Sequence, residues 1–448
     1  MRLIMLLLAA VLTVTACSTP PKPKPEPTPD PGPRPDVLTV GIREPTVLLN
    51  DRMINRALYT PLVEYDPATG KTTPVGAESV TTTDQITWTI KLRPSQYHDG
   101  TPVTASSYVD AWLRPNGDDL VPYKEIVPVD DLTIRYVTAA PASYFPAFLA
   151  SPHAAPVRPH FHASNPIGNG AFKLAAPWDD ETGGTLIRVA PAGRQVREID
   201  IRVVDDLDAA FDEVRAGTLD IVTDVAGSRR AAMRQEFADR HVTWPKPEAA
   251  YLIFGPDMPD PAARSAIAMS LDRKALAEGL LNDDADPATG LYPPAVGPGA
   301  ASDGCRACGF DPATAKSLRD QAGLKSLTIR EGNATEMTSL TAQIRSALGV
   351  RTDFGPGPVL QSVEWSMDSP YVYGFPEVPS AQPFLDAAAA SGDPQERARN
   401  YRLAEQEALR DFTVVPLWTV NGHAVWAERV HGVTATAAHG IDLAAITL

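Results

Sequence analysis

Cysteine is nearly absent from this chain, with three among 448 residues. A zinc centre needs about four ligands, and the one close pair, Cys305 and Cys308, has no second pair or nearby histidine. A redox Cys-x-x-Cys would open a helix after a strand, whereas residues 298–304 before this pair read as a loop. A local structural disulfide of an oxidising compartment is what remains. Long basic stretches are missing too, and the net charge is −15, so nucleic acid is excluded as a partner. Beyond the first few residues no apolar run is long enough to span a bilayer. Aromatic residues make up 7%, few for a surface that stacks on sugars.

Catalytic patterns are equally scarce. There is no Gly-x-Ser-x-Gly elbow, no His-Glu-x-x-His and no reactive Cys/His pair. His153, His160 and His162 cluster in a proline-rich stretch that reads as a solvated loop, with a metal site as the alternative. The acidic pairs Asp130-Asp131, Asp205-Asp206 and Asp283-Asp284, and the run Asp179-Asp180-Glu181, suit caps and loops better than catalytic dyads. From these patterns neither catalysis nor a bound cofactor or metal is expected.

What is present is strongly punctuated. Arg2, the apolar residues 3–14 and Thr15-Ala16-Cys17 make a short export segment ending in small residues before a cysteine. Residues 18–36 carry nine prolines among polar residues. They cannot bury apolar area, and as polyproline II they would reach roughly 60 Å. The 412 residues that follow exceed a single core, so two or more lobes are expected.

In that body, residues 38–42 and 86–92 alternate as strands, and residues 53–62 read as a short helix. Asp99-Gly100 is a turn, and Thr104 caps a helix whose apolar stripe is Ala105, Tyr108, Val109, Trp112 and Leu113. Residues 165–174 are a glycine turn feeding a strand; with no helix start or Lys-Ser/Thr behind them, the glycines do not cradle phosphate. Further helices run from Asp205 or Asp206 to Gly217, across residues 263–281 as a pair, from Asp311-Pro312 to Gly323, and from Asp393-Pro394 to Asp411. Residues 219–222 and 414–418 read as strands.

The order of these motifs resembles a known family. Leu58-Tyr59-Thr60-Pro61-Leu62, Asp66-Pro67-Ala68-Thr69-Gly70, Ala77-Glu78-Ser79 and His98-Asp99-Gly100-Thr101-Pro102-Val103-Thr104-Ala105 are similar to the solute-binding proteins of peptide ABC transporters. Pro166-Ile167-Gly168-Asn169-Gly170-Ala171-Phe172-Lys173-Leu174 and Leu271-Asp272-Arg273-Lys274-Ala275-Leu276 match the same family, and the likeness runs over residues 38–433. Thr15-Ala16-Cys17 resembles a bacterial lipoprotein signal, which implies cleavage before Cys17 and lipidation of its thiol.

The resemblance implies an α/β, two-lobed periplasmic-binding-protein-like fold of type II, in the large peptide-binder subclass, with an extra subdomain in lobe I. Residues 1–16 would be the signal and 17–36 the lipidated tether. Lobe I would take residues 37–62 and 165–246, with 63–164 as the extra subdomain. Residues 247–424 would form lobe II, and 425–448 would return to lobe I. It further implies a monomer lipid-anchored outside the cell membrane, or periplasmic, that hands peptides to ABC permease and ATPase subunits. A nickel chelate, oligosaccharide or opine as ligand, and a surface sensor or adhesion role, stay open. The chain is shorter than typical peptide binders, being trimmed near 114–130 and 330–390.

In the family a carboxylate before the last long helix meets the ligand's ammonium. Glu377 falls on or beside that position, with Asp368 as the rival. Trp365, Tyr371 and Tyr373 crowd the same stretch and either line the cleft or belong to the core. Leu48 and Asn50 stand where the family has Leu-Asp-Pro after the first strand.

Overall fold

The structure is a computed structural model. It describes residues 34–448 except 44–50, 67–70, 115–120, 159–161, 191–192, 194, 259, 281–284, 297–304, 331–333, 356 and 366–377. These residues belong to one compact unit, 33–448.

A mixed sheet runs through the body. Its strand order is Phe172–Leu174, Gly183–Arg188, Glu198–Val203, Val37–Ile42, Ile221–Val222, Val414–Trp426, His241–Ile253 and Val359–Glu364. Val37–Ile42 pairs parallel with both of its neighbours, and the other pairings are antiparallel. A parallel strand is covered on both faces, and Val37, Leu38, Val40 and Ile42 are accordingly buried.

Two apolar cores divide this sheet. One gathers Leu38, Ile54, Phe172, Ile199, Trp244, Ala424 and Ile446. The other gathers Ala249, Tyr251, Ile267, Leu327, Trp365, Leu417 and Trp418. The strands His241–Ile253 and Val414–Trp426 contribute to both. The first changes core between Trp244 and Ala249, the second between Trp418 and Ala424. The body is therefore two-lobed, and two adjacent antiparallel strands cross from lobe to lobe.

A third core fills a smaller four-stranded sheet, ordered Ala77–Thr81, Thr87–Leu92, Thr133–Thr138 and Tyr123–Asp130. Trp88, Ile90 and Leu92 alternate inward. They pack with Tyr136 and Phe145, and with Tyr108 and Trp112 of the helix Ala105–Trp112. Thr104 N–H donates to Ser107 Oγ (3.0 Å), the return half of a capping box. At the Asp99-Gly100 turn, Asp99 Oδ1 accepts from Thr101 N–H (3.0 Å) and Gly100 takes φ +83°.

The expected caps are in place. Asp206 accepts from Asp208 and Ala209 N–H, Asp311 from Ala313 and Thr314 N–H, and Asp393 from Gln395 N–H. Three elements differ from the expectation. The helix expected over residues 53–62 is Arg52–Leu58. Pro61 forces Thr60 to stay extended, and Gly170 N–H takes the Leu58 carbonyl (2.8 Å). The strand expected at 219–222 is the shorter Ile221–Val222. The strand expected at 414–418 continues to Trp426, because it crosses into the other lobe.

Candidate functional site

A cleft of about 290 Å³ opens where the two crossing strands leave lobe I. Its walls follow from the topology. The carboxyl ends of parallel strands are where an open α/β sheet leaves a crevice, because the connections there depart to either side. Ile42-Arg43 and Thr223-Asp224 are those ends here, and both line the cleft. The start of the helix Arg52–Leu58 forms a second wall. Asp51 caps it, accepting from Ile54 N–H (2.8 Å). Burial raises the Asp51 pKa, against the lowering pull of the Ile54 and Met53 amides.

The crossing strand supplies the floor through Trp244, Lys246 and Glu248, alternate residues of one strand. Between them Pro245 and Pro247 cannot donate to a ladder. The register to the neighbouring strand jumps from Pro245↔Asn421 to Ala249↔Thr419, so the strand bulges at residues 246–248. Trp244 lies across Gly422 of the other crossing strand, its register partner. A Cβ at Gly422 would come within 2.3 Å of the indole, so glycine is what lets the ring lie there.

Charges are distributed unevenly. Arg43 Nη2 and Asp224 Oδ2 form an ion pair at 3.0 Å. Lys246 Nζ and Glu248 Oε1 are 3.8 Å apart, beyond hydrogen-bond length. His439, on the turn between the short strands Ala435–Thr436 and Gly440–Ile441, closes the rim. Burial lowers its pKa from 6.5, and the nearby Arg56 guanidinium lowers it further.

His98, from the His-Asp-Gly motif, serves the scaffold. Its Nε2–H donates to the Gly170 carbonyl (3.0 Å) and its N–H to the Gly168 carbonyl (2.9 Å). A Cβ at Gly168 would fall 1.9 Å from the Leu58 carbonyl oxygen, so only glycine lets the two backbones meet. These contacts tie the smaller sheet to lobe I. Burial lowers the His98 pKa, while the Gly170 hydrogen bond opposes the shift.

Of the residues singled out in the sequence, Cys17, Leu48, Asn50, Asp368, Tyr371, Tyr373 and Glu377 lie outside the described residues, as does His160. Trp365 is fully buried in the lobe II core. Its indole N–H donates to Tyr251 Oη (2.9 Å), whose hydroxyl donates to the Leu291 carbonyl (2.6 Å). Its backbone N–H donates to the Pro247 carbonyl (2.6 Å). Trp365 is thus bonded to the bulge on the cleft floor. Cys305 and Cys308 are joined by a disulfide across one 3-10 turn, whose Ala307 packs into the lobe II core. Among the described residues no cluster of three metal-ligating side chains occurs, and no helix is long and apolar enough to cross a membrane.

Sequence reasoning passed over Arg43, Asp51, Trp244, Lys246, Glu248 and His439. One signal was available: Trp244-Pro245-Lys246-Pro247-Glu248 puts two prolines inside a strand, which marks a bulge. The rest converge only through topology.

Comparisons agree with this architecture. Residues 71–347 match the model of the bacterial extracellular solute-binding proteins, family 5 Middle. A search of curated proteins found no match. Among solved structures, HbpA2 from Haemophilus parasuis is similar with a TM-score of 0.80 at 16% identity, covering 92% of this chain and 99% of its own. DppA from Helicobacter pylori, in complex with the peptide STSA, gives 0.73 at 16%, covering 92% and 98%. NikZ from Campylobacter jejuni, in complex with Ni(L-His), gives 0.71 at 15%, covering 93% and 100%. At these identities the structural likeness shows the fold. With the family model matching well over half of its length, this chain belongs to the bacterial extracellular solute-binding proteins of family 5.

Proposed function

We propose that this protein is the lipid-anchored substrate-binding component of an ABC importer, taking up peptides in the cleft between its two lobes and delivering them to the permease. The observation that carries the reading is the position of the cleft. It lies beside both lobe-crossing strands, at the bulge where one of them changes core. A solute held there touches the residues that must rotate when the lobes approach. Its contacts differ between open and closed forms, and that difference is what drives closure.

Cys17 carries the lipid, and residues 18–36 hold the body away from the membrane surface. The protein acts as a monomer outside the cell membrane, where the Cys305–Cys308 disulfide persists. Glu377 receives the ammonium of the peptide. Its stretch begins at Trp365, whose backbone is bonded to the cleft floor. Mass spectrometry of solute co-purified with the protein tests the reading. Peptides are expected, and a metal chelate, sugar or opine in their place would retire the peptide claim while leaving the importer role.

A further inference from the structure

We infer that the bulge of the crossing strand, Lys246-Pro247-Glu248, recognises an α-amino-acid headgroup: an ammonium and a carboxylate carried on one carbon. The inference rests on the reading of this cleft as the solute site and narrows the class of solute: the ammonium of such a headgroup goes to Glu248, and Glu377 is left the terminal ammonium of an ordinary α-linked peptide. It starts from which charges in the cleft are already used. Asp51 is committed to the helix it caps. Arg43 and Asp224 form a close ion pair, 3.0 Å apart. Arg52 Nη1 reaches the Ala438 carbonyl (3.5 Å). Lys246 and Glu248 stand farther apart, at 3.8 Å, so a small group can bond to both, and each side chain is 38% exposed.

That spacing has a complement. On an α-amino acid the ammonium nitrogen and the carboxylate oxygens are on the order of 3 Å apart, fixed by two covalent bonds to one carbon. Charge-assisted hydrogen bonds of about 2.8 Å from Lys246 to the carboxylate, and from the ammonium to Glu248, would close a four-membered ring of alternating charge. A peptide terminus offers one charge only, with a neutral amide beside it, and leaves one side of the ring open. Trp244 adds an apolar floor next to the pair, seated by the bare backbone of Gly422. The placement on the bulge gives the contact a mechanical consequence. The ladder to Val414–Trp426 is interrupted between Pro245 and Ala249, while on the other side Glu248 stays in register with Glu364 and the Pro247 carbonyl accepts from Trp365 N–H, so the pair sits on a bulge tied to one neighbouring strand only.

The test compares two isomers of identical composition and charge. γ-L-Glutamyl-L-alanine carries the headgroup, and α-L-glutamyl-L-alanine carries the same groups with the ammonium carbon amide-linked. Calorimetry at pH 7 is expected to show the γ isomer binding at least tenfold tighter. Lys246→Met and Glu248→Gln are each expected to erase that preference while leaving thermal unfolding of the unliganded protein in place. The exchange variant Lys246→Glu/Glu248→Lys is expected to recover part of it. Equal affinity for the two isomers, or a preference that persists in Lys246→Met, overturns the inference. So does failure of both isomers to bind; the importer reading is then still judged by the co-purified solute.

Discussion

Gly422→Ala perturbs the cleft floor at one atom. The new Cβ would stand 2.3 Å from Trp244 Cε2, 2.4 Å from Cζ2 and 2.8 Å from Nε1. All three distances are below van der Waals contact, so the indole or the strand must move. Trp244 is nearly buried at 9% exposure, and its other neighbours include Gly440, 3.7 Å from Cζ2 when given a Cβ. Displacing a packed ring by one methyl costs roughly 1–3 kcal/mol, and three simultaneous overlaps put this case near the upper figure. With a urea slope of about 3 kcal/mol/M, the midpoint of the transition reporting lobe I would fall by about 1 M at unchanged slope. Tryptophan fluorescence and near-ultraviolet circular dichroism follow the same transition, and both are expected to change in the native baseline. A matched control is Gly279→Ala, where a Cβ meets nothing within 4 Å. That residue lies in the helix Arg273–Leu280, so alanine is expected to stabilise, by up to about 1 kcal/mol. If Gly422→Ala were as benign as Gly279→Ala, with native spectra unchanged, the indole would not lie on Gly422 and the floor would have to be redrawn.

Four further outcomes are expected. Arg429→Met removes the cation from the Asp220 carboxylate, which is 1% exposed and bonded to Arg429 Nε and Nη2 at 2.6 Å each, and leaves it the Thr39 N–H and hydroxyl as donors; a loss of about 3 kcal/mol in denaturant unfolding is expected, largely recovered in Arg429→Met/Asp220→Asn. His98 has its folded pKa held below 6.5, so the unfolded chain binds the proton more readily; stability is full above pH 6.5 and falls as pH drops through it, and urea midpoints at pH 7.5 and 5.5 should lie closer together in His98→Asn than in the unsubstituted protein, the remaining gap including His439, whose pKa is lowered in the same way. Glu377→Gln is expected to weaken peptide binding more than tenfold by calorimetry with unliganded stability unchanged, since losing one partner of an enclosed charge pair costs roughly 2–5 kcal/mol; an unchanged affinity would point to Asp368. Cys17→Ala is expected to leave the precursor unprocessed or release soluble protein, and processed protein still in the detergent phase would refute lipidation at that residue.

Local punctuation was legible in the sequence because it depends on neighbours in the chain. Asp206, Asp311 and Asp393 are caps in the structure as their positions suggest, since a carboxylate just before a helix meets the free amides wherever the helix packs. Trp88, Ile90 and Leu92 alternate inward because a strand's side chains alternate by geometry. The ordered motifs from Leu58 to Ala105 were enough to reach the family and the two-lobed fold. Where elements end was less accessible: the helix at residue 52 stops at Leu58 partly because Gly170, more than a hundred residues on, takes its carbonyl. The cleft was further still from the sequence. Arg43, Asp51, Asp224, Lys246 and His439 share no spacing, and each by itself reads as an ordinary surface charge. They meet because two parallel strands end side by side and a later strand crosses beneath them. Such convergence is a property of sheet order, which only the packed chain decides.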